Sequence, residues 1–229
     1  MSTGLFITGT GTGVGKTYVG ALIAKSLRAS GKRAGVYKPV ASGCEFGGGS
    51  LVSPDAMALW NAAGQPGTLE QVCPQMFAAP LAPHLAAGAE GKKVDTRLLR
   101  DGLQFWRANS DVVIVEGAGG LMSPISDNDY NADLAVEFGL PLLIVAANVL
   151  GTINATLQTL ITANSSPYNL GVAGIVLNSP SPVVNDPSVE SNADEIARRC
   201  EPPLLATVEY GGEFDRPVDW WALTKGLTA

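Results

Sequence analysis

The chain has 229 residues and a formal net charge of −6; 46% of its residues are hydrophobic and 16% are charged. That balance supplies a sizeable core and excludes a chain kept disordered by charge. The acidic excess argues against a basic face for sequence-general nucleic-acid binding, so no nucleic-acid partner is expected.

Cys44, Cys73 and Cys200 are widely separated and form no CxxC pair. Neither a disulfide framework nor a structural zinc site is expected, and a reducing compartment fits best. The first residues show no basic stretch followed by a long apolar run, so no secretory leader is expected. The longest apolar run, Pro141 to Leu150, is too short to cross a bilayer, which takes about 20 residues. These features predict a cytoplasmic protein without membrane contact, built as a single domain over 1–229.

The elements follow in a regular order. Leu5 to Ile7 predicts a short buried strand. Thr17 to Ser30 predicts a helix with Val19, Leu22, Ile23 and Leu27 on one face, stopped by Gly31. Arg33 to Val40 predicts a second strand. Ser53 is a helix N-cap, Pro54 a first helical residue, and Gly64 lies past the end. Gln65 to Val94 reads as irregular. Thr96 to Ala108 predicts a helix, and Val112 to Val115 a strand buried on both faces. A short helix over Asn131 to Phe138 precedes a strand over Pro141 to Ala146. Ile153 to Ala163 is helical, Gly171 to Leu177 a strand, Ser188 to Cys200 a helix, and Leu204 to Val208 the last strand. Continuous apolar strands alternating with helices predict an α/β fold, a mostly parallel sheet with helices on both faces. Ligands of such sheets bind at the carboxyl ends of the strands.

The first strand is followed by Gly9-Thr-Gly-Thr-Gly-Val-Gly15-Lys16-Thr17. Gly-Lys-Thr at a strand-to-helix junction is a phosphate-binding loop. Its glycines let backbone N–H groups turn inward, Lys16 reaches the outer phosphates, and Thr17 is placed to ligate Mg²⁺. Thr10 stands where the strict pattern has glycine, so the loop is a variant. The second strand is followed by Lys38-Pro39-Val40-Ala41-Ser42-Gly43. Lys38 there is either a solvated surface lysine or a cation that stabilises developing negative charge. Asp55 either complements its helix dipole or serves as a carboxylate for Mg²⁺. Glu116, at the tip of a buried strand, is placed to hold Mg²⁺, and Gly117, Ala118 and Gly119 allow close approach of phosphate. Gly151, Thr152, Ile153 and Asn154 enter a helix and either cap it or bind an anion. Asn178 is placed to read a nucleobase. The one histidine, His84, reads as structural, and Cys44 does not read as a nucleophile.

Together these stretches resemble the dethiobiotin synthetase family, whose phosphate loop is also the longer variant. The resemblance rests on Gly9–Thr17, Tyr37–Gly43, Ser53–Leu59, Val115–Gly120, Leu150–Asn154 and Asn178. It implies a P-loop NTPase-like fold and an ATP-dependent ligase. In that reaction 7,8-diaminononanoate, CO₂ (or bicarbonate) and Mg-ATP become dethiobiotin, ADP and phosphate. The resemblance gives catalytic roles to Lys16 and Lys38, and substrate contacts to Thr12 and Ser42. Thr17, Asp55 and Glu116 would hold Mg²⁺. Gly13, Val14, Gly15, Tyr18, Glu209 and Tyr210 would join the nucleotide site. Gly151 to Asn154 would bind the substrate carboxylate across a homodimer with shared active sites. After the last strand the chain reads Leu205-Ala-Thr-Val-Glu-Tyr210, where the family often has a Gly-x-Ile-Pro turn. The rival reading is a dimeric ATPase switch of the ParA/MinD kind. Such switches usually carry a second lysine early in the loop, where Thr10 stands, and do not need Lys38-Pro39.

Overall fold

The computed structural model describes residues 3–182 and 184–225. The chain runs β1 (Gly4–Gly9), α1 (Lys16–Ala29), β2 (Ala34–Tyr37), β3 (Glu45–Gly47), β4 (Ser50–Val52), α2 (Pro54–Ala62), α3 (Leu69–Val72), α4 (Pro83–Ala89) and α5 (Thr96–Asn109). It continues with β5 (Val112–Gly120), α6 (Asn131–Phe138), β6 (Leu142–Ala147), α7 (Thr152–Asn164), β7 (Val172–Asn178), α8 (Val189–Arg199), β8 (Leu204–Val208) and α9 (Trp220–Leu223).

Six strands form one parallel sheet in the order β2-β5-β1-β6-β7-β8. β1 and β7 are buried along their whole length, which requires cover on both faces and explains their apolar runs Leu5–Ile7 and Ile175–Leu177. Leu5, Phe6, Ile7, Ile114, Leu143 and Ile144 have no exposed surface and form the centre of the core. The register sets up the site: Tyr37 lies beside Val115, and Ile7 beside Glu116. Lys38, one residue on from Tyr37, therefore emerges next to Glu116.

Several boundaries differ from the sequence reading. β2 stops at Tyr37, not Val40, because Pro39 has no N–H to continue a ladder. The Lys38 N–H instead donates to the Val72 carbonyl (2.8 Å) and Ala41 N–H to the Gln75 carbonyl (2.9 Å). β5 runs on through Gly120 past Val115, as Gly9 takes Gly120 as its partner. The stretch read as irregular holds α3 and α4. Thr68 and Gln71 form a reciprocal capping box for α3, and Pro83 starts α4. An exposed β3–β4 hairpin joins Cys44 to Ser53. Among the described residues, no helix is long and apolar enough to cross a membrane.

Candidate active site

The phosphate loop follows from β1 ending at Gly9 and α1 beginning at Lys16. Gly15, at the helix N-cap, has φ 92°, a left-handed conformation that disfavours a side chain. A Cβ there would also stand 2.1 Å from Asn178 Nδ2. The Asn178 amide donates to the Val14 carbonyl at 2.9 Å, fastening β7 to the loop. Lys16 is buried, and its Nζ donates to the Gly11 carbonyl at 3.1 Å. Burial lowers its pKa, with Glu116 opposing.

Behind the loop lies a compact charge cluster. Lys38 Nζ donates to Glu116 Oε1 at 2.5 Å and pairs with Asp55 Oδ2 at 3.0 Å. The Thr17 hydroxyl donates to the same Glu116 Oε1 at 2.9 Å. Burial would lower the Lys38 pKa, but the adjoining Glu116 and Asp55 carboxylates outweigh it and raise it. Burial would raise the Asp55 pKa, but Lys38 and Thr17 hold it below the usual carboxylate value. Lys38 is thus a fixed ammonium and not a proton donor in the physiological range.

These groups open onto a cavity of about 690 Å³. Of the expected residues, Thr12, Gly13, Gly15, Lys16, Thr17, Tyr18, Lys38, Ser42, Asp55, Glu116, Ala118, Gly119, Asn178 and Tyr210 line it. Ala41, Ser179, Pro180 and Gly211 line it too and were missed. The available signal was position alone, since each lies a few residues past a strand end.

Other expected residues stand elsewhere. Val14 is buried and presents its carbonyl to Asn178. Gly117 faces Asn131, where a Cβ would lie 2.7 Å from Oδ1. Glu209 lines an adjoining cavity of about 610 Å³, which shares Ser179 and Tyr210 with the first. Gly151, Thr152, Ile153 and Asn154 form the start of α7 and line neither cavity. A third cavity, of about 360 Å³, adjoins Thr12 and Ser42 and is walled by Pro80 to Pro83. His84 lines none of the three. Burial pushes the Cys44 thiol up, against a nucleophilic role.

A family model described as an AAA domain matches residues 3–218. The ATP-dependent dethiobiotin synthetase BioD of Rhodopirellula baltica is 46% identical over 214 residues, covering 89% of this chain and 82% of that protein. The chain belongs to the dethiobiotin synthetase family. Its likeness to the protein of the same name from Anaeromyxobacter dehalogenans strain 2CP-C is 43% over 213 residues, 93% of this chain and 92% of that one. Among solved structures, a ParA family ATPase from Chlorobium tepidum superposes with TM-score 0.53 at 16% identity, over 90% of this chain and 83% of that one. The septum site-determining protein MinD from Pyrococcus horikoshii gives 0.52 at 14%, over 91% and 82%. These two likenesses show the P-loop NTPase fold alone.

The ligand set that the resemblance gives for Mg²⁺ fits a hard cation. Thr17, Asp55 and Glu116 offer only oxygen. Glu116 Oε2 is buried with no hydrogen-bond partner, and Lys38 shows that a cation is tolerated between the two carboxylates. Among the described residues no three His, Cys, Asp or Glu side chains gather as a metal cage. Mg²⁺ commonly binds through one or two carboxylates and completes its shell with water and phosphate oxygens.

Proposed function

We propose that this chain, acting as one P-loop domain, closes the ureido ring of dethiobiotin from 7,8-diaminononanoate, CO₂ and ATP through a carbamate and a carbamic-phosphoric anhydride. The coarser statement follows from its family: it is an ATP-dependent dethiobiotin synthase, a ligase of biotin synthesis.

The observation that carries the mechanism is the opening of Lys16, Lys38, Thr12 and Ser42 onto one cavity with the Asp55–Glu116 pair. One substrate amine attacks CO₂ and loses a proton to give a carbamate. Thr12 and Ser42 hold that end by hydrogen bonds. The carbamate oxygen attacks the γ-phosphorus of ATP, and ADP leaves. The second amine then attacks the carbamate carbon, phosphate departs, and the ring closes. Every step gathers negative charge, and two buried lysines at the cavity stabilise it. Lys16 holds the phosphates, while Lys38 faces the carbamate and the transferred phosphoryl group. Thr17, Asp55 and Glu116 would hold Mg²⁺, which would supply further charge neutralisation on the phosphates. Gly13 to Tyr18, Glu116 to Gly119, Asn178, Glu209 and Tyr210 form the nucleotide side. Gly151 to Asn154 receive the substrate carboxylate across a homodimer. Their place outside the cavity of their own chain supports that assignment.

The test is a mass-spectrometric assay with 7,8-diaminononanoate, ¹³C-bicarbonate, Mg²⁺ and ATP. Labelled dethiobiotin that requires all four components is expected. ATP hydrolysis indifferent to the diamine, without product, would overturn the ligase reading in favour of the switch.

A further inference from the structure

Tyr18 is two residues past Lys16, in the first turn of α1, and is 38% exposed. Its hydroxyl donates to the Gly212 carbonyl at 2.7 Å, joining parts of the chain 194 residues apart. Gly212 belongs to the turn after β8, closed by its N–H donating to the Glu209 carbonyl at 2.9 Å. At its base the turn is pinned by the Val208–Phe214 bridge and by the bond from Thr207 N–H to Asp215. Among the described residues, no other side chain bonds to Glu209, Tyr210, Gly211 or Gly212. Two consecutive glycines, with Gly211 at φ 70°, leave the tip free to change shape once that bond is cut.

Tyr210 occupies that tip. It is 60% exposed, yet it lines both the main cavity and the adjoining one. Its ring therefore stands at their junction, beside the cavity that Asn178 also lines, and offers an apolar face to a planar base.

We propose that Tyr18 is a positioning residue for the nucleotide, a latch that fixes the Tyr210 turn to the phosphate-loop helix. The proposal rests on the nucleotide reading of the main cavity. With the latch made, the base-side wall is already ordered when ATP arrives, so binding does not bear that entropy cost. The phosphate end does not depend on the latch, because Asn178 holds the loop at the Val14 carbonyl and the Gly11 carbonyl holds Lys16.

The experiment compares two ligands on Tyr18→Phe, which removes only the hydroxyl of an exposed ring. Calorimetry gives Kd for Mg-ATP and for inorganic tripolyphosphate, which has the phosphates and no base. The expected result is ATP weakened about 3- to 10-fold, the range for one net hydrogen bond, with tripolyphosphate unchanged within twofold. KM for ATP should rise by the same factor. In a Tyr210→Ala background the Tyr18→Phe change should cost less than twofold, because the two act as a unit. Unchanged ATP affinity in Tyr18→Phe would overturn the latch alone. Equal weakening of both ligands, or a full effect without Tyr210, would also overturn it. Failure of the wild-type chain to bind either ligand would remove the nucleotide reading itself.

Discussion

Replacing Lys38 by methionine keeps the unbranched stem, one atom shorter, and deletes its charge. In the native chain that ammonium is the sole cation within hydrogen-bond distance of Glu116 among the described residues, and the Glu116 side chain is 1% exposed. The variant leaves the carboxylate with one hydroxyl, from Thr17. Breaking a buried pair from one side costs about 3–5 kcal/mol, a large share of the roughly 5–15 kcal/mol available to a domain. Turnover should fall separately, by about 10²–10³-fold, the loss seen when one preorganised donor to a developing anion is removed. The double variant Lys38→Met/Glu116→Gln isolates the stability effect. It removes the stranded charge and should recover most of the stability, while the turnover effect is read from the single variant, since Glu116 is itself assigned to Mg²⁺. Urea unfolding without nucleotide, followed by the labelled-bicarbonate assay, reads both quantities. A single variant that loses less than about 1 kcal/mol would refute the buried-pair argument.

Two further outcomes are expected. Gly15→Ala meets a left-handed backbone and the Asn178 amide together, a strain of about 1–3 kcal/mol on the phosphate loop. It should weaken ATP by at least about fivefold, and calorimetric affinity within twofold of wild type would contradict that. Asp129 accepts from Arg100 at 2.8 Å and from Ser126 at 2.5 Å. Burial would raise its pKa, but these donors hold it below the ordinary carboxylate value. A lowered folded pKa gives stability that is present above the unfolded value of about 3.9 and lost as pH falls through the folded one. Asp129→Asn should therefore cost about 1–3 kcal/mol at pH 7, with the gap narrowing as pH falls below about 3.9. A gap that stays constant from pH 7 to pH 3 would show that the Arg100 charge is irrelevant.

The central strands were legible because burial on both faces leaves only apolar residues to choose from, as in Leu5–Ile7 and Val112–Val115. The β3–β4 hairpin was not, since its exposed residues, with Phe46 80% exposed, carry no alternation against a core. The α3 capping box was readable in Thr68 and Gln71, yet one turn of helix gives no periodicity to find. In the site, Lys16, Lys38 and Glu116 could be placed from motif and strand ends. Gly117 stands off the cavity because β5 continues through it, so the residue after Glu116 is turned toward Asn131. Tyr18 was expected at the nucleotide site from the family resemblance, but its bond to Gly212 joins distant segments and leaves no local trace.

The sheet order has a consequence for the chain as it is being synthesised. β1 is made first, but its neighbours are β5 and β6, which begin at Val112 and Leu142. Both hydrogen-bonding edges of a strand that ends fully buried therefore stay unmatched while more than a hundred residues are added. At about 5–20 residues per second, that interval is on the order of 10 s. Throughout it Glu116 does not yet exist, so Lys38 and Thr17 await their common acceptor. The nascent N-terminal segment is thus the part of this protein with most to gain from a chaperone at the ribosome exit.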